Sequence, residues 1–162
     1  MVFTQKYTII SPLEPIFEGQ IFGSSSWPMH VTLADTFAID SVQADLISQL
    51  SISTRDYRMK IRGERTAHFG KEKEIEVTIL YPSRELTELH YIIADLLLNK
   101  GASFNDPQYI KSGFVGHVTK QKERALDIES ESELSSLALI DMFPGGDPYA
   151  RKVIKIINMK EG

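Results

Sequence analysis

Hydrophobic and polar positions alternate with two different periods along this chain, and the switches between them outline the elements. Residues 2 to 10, VFTQKYTII, are rich in β-branched and aromatic types and stop at Ser11-Pro12, which predicts a strand followed by a loop. A second strand is expected at 29 to 37, MHVTLADTF. Asp40 then reads as a helix N-cap with Gln43 three residues on, and Val42, Leu46 and Leu50 recur at helical spacing, giving a short helix over 41 to 50. RDYRMKIRG and KEIEVTILYP alternate as strands, the latter ended by Pro82. The strongest helical pattern follows from Ser83, with Leu86, Leu89, Ile93, Leu96 and Leu97 on one stripe and Gly101 placed to end it in the left-handed conformation.

GFVGHVTK predicts a further strand. The charged stretch 120 to 133, KQKERALDIESESE, has little apolar periodicity and reads as a solvated loop or edge hairpin rather than core. Strands at LSSLALIDMF and YARKVIKIINM close the chain, joined by the turn signal Pro144-Gly145-Gly146-Asp147-Pro148. The order β β α β β α β β β predicts an α+β fold: one domain over residues 1 to 162, made of two similar lobes of antiparallel sheet with helices on the outer faces and a cleft between the lobes.

Composition narrows the chemistry. The chain has no cysteine, which removes disulfides and thiolate metal sites, and a net charge of −4, which argues against coating long nucleic acids such as a DNA duplex. Apolar runs are too short to span a bilayer, so no membrane role is expected, and MVFTQKYTIISPLEPIF lacks the pattern of a secretory signal, so the expected location is cytoplasmic. A single terminal phosphate remains within reach of a few hydroxyl, imidazole and backbone donors.

Two of the four histidines stand in the same tripeptide, His30-Val31-Thr32 and His117-Val118-Thr119, one in each half. On a strand, alternate side chains share a face, so His30 joins Thr32 and His117 joins Thr119, with valines behind. Across a cleft, the two imidazoles become a base and an acid for phosphodiester displacement, while two threonine hydroxyls donate to the phosphate oxygens. Such chemistry needs no metal in principle, and two histidines without an obvious third ligand make a poor zinc site. His90 falls on the apolar stripe of the second helix and is expected to be a core histidine. His68, in RTAHFGK, is expected in a turn.

With these residues the sequence resembles the 2H phosphoesterases, which include 2′-5′ RNA ligase-like proteins and 2′,3′-cyclic phosphodiesterases and are defined by two His-x-Thr/Ser motifs. HVTLADTF is close to the usual first motif, and Leu-x-x-Leu-His at 86 to 90 is also similar. The second motif departs, because HVTKQKER places Lys120 where many members have leucine, and by strand parity Lys120 points away from Thr119. The resemblance implies metal-independent phosphoester chemistry without a cofactor, on a nucleotide or RNA terminus. The expected roles are His30 and His117 as the acid/base pair and Thr32 and Thr119 as phosphate ligands, in opening a cyclic phosphate or handling a 2′-5′ linkage. A module that only binds such a phosphate on the same fold is the alternative.

Overall fold

The structure, a computed structural model, describes residues 5–40, 42 and 44–160. Its strands in chain order are β1 (Lys6–Pro12), β2 (Ile21–Gly23), β3 (His30–Ala38), β4 (Met59–Phe69), β5 (Ile75–Leu80), β6 (Ser103–Phe104), β7 (His117–Thr119), β8 (Glu131–Leu134), β9 (Ser136–Asp141) and β10 (Ala150–Asn158), with helices α1 (Ala44–Thr54) and α2 (Arg84–Asn99). The strands form one curled antiparallel sheet in the order β2-β10-β9-β1-β3-β7-β5-β4-β8, with β6 paired to β3. The α+β class therefore holds. The halves are not detached, however: they join edge to edge where β3 pairs with β7, and the cleft is the face of a continuous sheet.

Both helices cover the opposite face. Val31, Leu33, Ala34 and Phe37 of β3 and Val118 of β7 pack with Leu46 and Leu50 of α1 and Leu86, Leu89, Ile93 and Leu97 of α2 in one core. Each such side chain contributes about 1.5–3 kcal/mol on burial, which fixes which face of each motif strand turns inward. Helix α2 is closed at both ends as its sequence requires. Ser83 accepts the Leu86 N–H at its N-terminus. At the other end Gly101, with φ of 85°, lets its own N–H reach Leu98 O and the Ala102 N–H reach Leu97 O, both at 3.0 Å. Gly116, just before β7, has a packing reason of its own: a Cβ there would lie 2.8 Å from Leu86 Cδ2, so any other residue would require the buried leucine to shift.

A smaller core lies on the cleft side. Ile10, Ala138, Ile140 and Val153 are roofed by Ile16, Phe22 and Trp27 of the segment between β1 and β3. This fills the β1/β9/β10 end of the concave face and leaves the β3/β7/β5 region as the open floor.

Several boundaries differ from the sequence reading. The first helix begins at Ala44 and runs on to Thr54, and the capping role expected of Gln43 lies outside the described residues. His68 is not in a turn but inside β4, opposite Glu76 of β5, because the reversal comes later, at Gly70 and the left-handed Lys73. Only 117–119 of GFVGHVTK is strand, and LSSLALIDMF is divided between β8 and β9. The charged stretch 120 to 133 holds a tight turn, in which Gln121 and Arg124 exchange backbone hydrogen bonds of 2.8 and 3.0 Å, and then most of β8. β8 is an edge strand, and its alternating charges discourage pairing with another chain.

Candidate active site

The site rests on one register. Val31 pairs with Val118 in antiparallel β3 and β7, so one step to either side His30 lies opposite Thr119 and Thr32 opposite His117. Directly opposed side chains have Cβ atoms about 4.5–5.5 Å apart and diagonal ones about 7–8 Å. The motifs thus interlock as a four-cornered cluster, with a histidine of each facing the threonine of the other and the two imidazoles on a diagonal. The rung through His117 continues across β5 and β4 to Ile79 and Arg65, and through Thr32 to Ile10 of β1.

Both imidazoles are fixed in the same way. His30 Nδ1 donates to Pro28 O and His117 Nδ1 donates to Val115 O, each at 2.8 Å and each to the carbonyl two residues earlier. A carbonyl only accepts, so both neutral rings carry their proton on Nδ1 and present Nε2 as the base. Each ring also has an aromatic neighbour with centroids 5.0 Å apart, Trp27 for His30 and Phe69 for His117. Their charge environments differ. Burial pushes the His30 pKa down to about 4, against the bond to Pro28 and reinforced by His117. Burial also lowers His117, but the bond to Val115 and the carboxylate of Asp35 oppose it.

Three residues of this region escaped the sequence reading. Asp35 is expected by strict alternation on the core side with Val31 and Leu33. Instead, β3 is irregular: Ile10 pairs with Thr32 but Ile9 with Ala34, and Tyr7 with Phe37. Leu33 and Ala34 both go to the core, and Asp35 and Thr36 are returned to the cleft face opposite Thr8, whose hydroxyl lies 3.3 Å from that of Thr36. The run Leu33-Ala34-Asp35 carried the signal, since strict alternation would bury a carboxylate. Arg124 is brought back by the turn after Thr119 to pair with Glu14 and to donate to Trp27 O at 3.2 Å. Glu14 in turn accepts the Met29 N–H at 2.6 Å, so the segment Trp27-Pro28-Met29 before His30 is gripped at both ends. Lys120, by contrast, ion-pairs with Glu76 at 3.8 Å, on the face away from Thr119.

His90 is fully buried. Its Nδ1 donates to Leu33 O at 2.7 Å, its Nε2 accepts the Lys111 N–H at 2.8 Å, and its ring stacks on Phe114 at 4.0 Å. With both nitrogens used, it joins β3 to the segment leading into β7. Among the described residues no group of three or more His, Asp or Glu side chains is arranged to hold a metal ion, and no helix is long and apolar enough to cross a membrane. A cavity of about 260 Å³ lies between β4, β5, the start of α2 and the segment before β7, lined by Glu64, Arg65, Tyr81, Ser83, Leu86 and Gly116 among others.

No model of a protein family matches the chain, and no curated protein does. Solved structures do match in fold. A phosphoesterase crystal structure aligns with 98% of this chain and 100% of its own, at a TM-score of 0.59 and 15% identity. E. coli LigT in complex with 3′-AMP aligns over 98% and 100% at 0.58 and 15% identity, and LigT in complex with NADP+ over 98% and 99% at 0.56 and 15% identity. The fold is that of these phosphoesterase structures along nearly the full length of both chains.

Proposed function

We propose that this protein is a phosphoesterase that opens a 2′,3′-cyclic phosphate on a nucleotide or RNA end, or makes or breaks a 2′-5′ linkage, with His30 and His117 as its proton-transfer pair. The observation that carries this reading is the interlock of the two tripeptides through the pairing of Val31 with Val118. On this reading an imidazole Nε2 stands on either side of a bound phosphate, and Thr32 and Thr119, at the other two corners, donate to its non-bridging oxygens. The shared fold with LigT, which was crystallised with 3′-AMP and NADP+, supports a nucleotide substrate.

In hydrolysis, one neutral histidine takes a proton from water as its oxygen bonds to phosphorus. The bond from phosphorus to one ribose oxygen breaks, and the other histidine, protonated, delivers its proton to that oxygen. The product is a phosphomonoester, and the ring protons are reset by exchange with solvent. In the ligation direction a ribose hydroxyl is joined through the same geometry, and both directions need only proton transfers and fixed hydroxyl donors.

Turnover of 2′,3′-cyclic nucleotides, followed alongside binding, tests the reading. Conversion to a monophosphate that is lost in both His30→Ala and His117→Ala is the expected result. Binding of the cyclic nucleotide without any conversion would instead assign the cleft to phosphate recognition alone.

A further inference from the structure

The two histidines share a motif and a tautomer, yet the charge of a carboxylate, Asp35 on the neighbouring strand, acts on His117. We infer that Asp35 is a positioning residue that favours the protonated form of His117 as the general acid, against the burial of the ring, which leaves His30 as the base, and that the bulge in β3, tied to α2 by His90, exists to put it there. This rests on the phosphoesterase reading of the site and adds the direction of proton flow to it.

The geometry supplies the argument. Along the cleft face of β3 the side chains run His30, Thr32, Asp35, and His117 lies opposite Thr32, so it is diagonal to His30 on one side and to Asp35 on the other. Had β3 kept a regular register, Ala34 would occupy that place and Asp35 would enter the core. The bulge is anchored from the core side, because the carbonyl of its first residue, Leu33, accepts the hydrogen bond from His90 Nδ1. Asp35 is also oriented locally: its Oδ1 accepts the Thr36 N–H at 2.9 Å.

The other groups facing His117 do not take over this role. From β4 come Phe69, whose ring lies against His117, and Arg65, on the same rung but beyond Ile79 and ion-paired to Glu64 at 3.9 Å; from β5 come Ile79 and Val77, and from β3 Thr32 and His30 besides Asp35. Glu64 is held by its own cation, Arg65, and Asp35 is the carboxylate whose charge acts on His117. It opposes the desolvation of His117, whereas for His30 the neighbouring charge is the His117 ring itself, which disfavours a second proton.

The experiment is an NMR titration of the His117 imidazole in the free protein, together with kcat/KM against pH for a 2′,3′-cyclic nucleotide, in wild type, Asp35→Asn and Asp35→Glu. In Asp35→Asn, the His117 midpoint moves to lower pH and the basic limb of the rate profile moves with it. The rate near neutrality then falls on the order of tenfold, with a much smaller loss on the acid side. Asp35→Glu restores both. An unchanged His117 titration overturns the proposal whatever the activity, and so does a shifted titration with an unmoved rate profile. Normal turnover in His117→Ala sinks the phosphoesterase reading instead, so the two failures are told apart.

Discussion

The His30 and His117 halves of the site are near copies in backbone and opposites in charge. Each histidine starts or nearly starts its strand, donates to the carbonyl two residues before it and lies against an aromatic ring. Beyond that the halves diverge. The His30 end is closed by the Trp27 segment and its clamp from Glu14 and Arg124, which removes water and favours a neutral ring. At the His117 end the charge of Asp35 opposes the burial of the ring. The duplicated motif gives the two rings the same reach, while their surroundings give them unlike charge environments, the difference on which the proposed division into base and acid rests.

The deepest test of this comparison is removal of either ring. His30→Ala and His117→Ala should each lower turnover by about two to four orders of magnitude, and the double variant should be little worse than the singles, as expected for groups acting as a unit. Additive losses in steady-state kinetics would mean that the halves work independently.

His90→Ala should act mainly on folding. It deletes a buried ring, leaves the Leu33 carbonyl and the Lys111 N–H without their partner, and should cost about 2–4 kcal/mol in denaturant unfolding.

The unlike environments should also appear in stability against pH. The folded pKa of His30, about 4, lies below its ordinary value of 6.5, so as pH falls the unfolded chain takes up this proton first. The contribution of this ring is full above pH 6.5 and is lost progressively down to about pH 4. Its ceiling is about 3 kcal/mol, reduced by cleft water around the half-buried ring. Denaturant midpoints at pH 7.5 and 5 should fall further apart in wild type than in His30→Ala.

The smallest effect is expected at the other two corners. Thr32→Val and Thr119→Val each remove one phosphate donor while keeping side-chain size, and should cost about 10- to 100-fold in kcat/KM. The Thr119 change should disturb the His30 limb of the pH profile and the Thr32 change the His117 limb, since each threonine faces the other motif's histidine.

What was legible in the sequence follows from the range of the forces involved. A period of two within a tripeptide is local, so the shared faces of His30 with Thr32 and of His117 with Thr119 could be read directly, as could the apolar stripe of α2 and its Ser83 and Gly101 ends. Asp35 could not be placed, because a bulge is set by the register with β1, a strand more than twenty residues away in sequence. Arg124 and Glu14 meet through two turns that no periodicity encodes. β2 and β6 are too short for alternation to register. The edge-to-edge union of the halves depends on which strands pair, and β7, with three residues, offers little sequence from which to tell.

The account turns on the claim that two interlocked imidazoles transfer protons around one phosphate, and the most direct measurement is ³¹P NMR of a 2′,3′-cyclic nucleotide incubated with the wild-type protein in excess EDTA. The cyclic-phosphate resonance should be replaced by that of a single phosphomonoester, at a rate that falls on the acid side as His30 takes up a proton and on the basic side as His117 loses one. A cyclic phosphate left intact under these conditions, or consumed only after a divalent metal is added back, would contradict it.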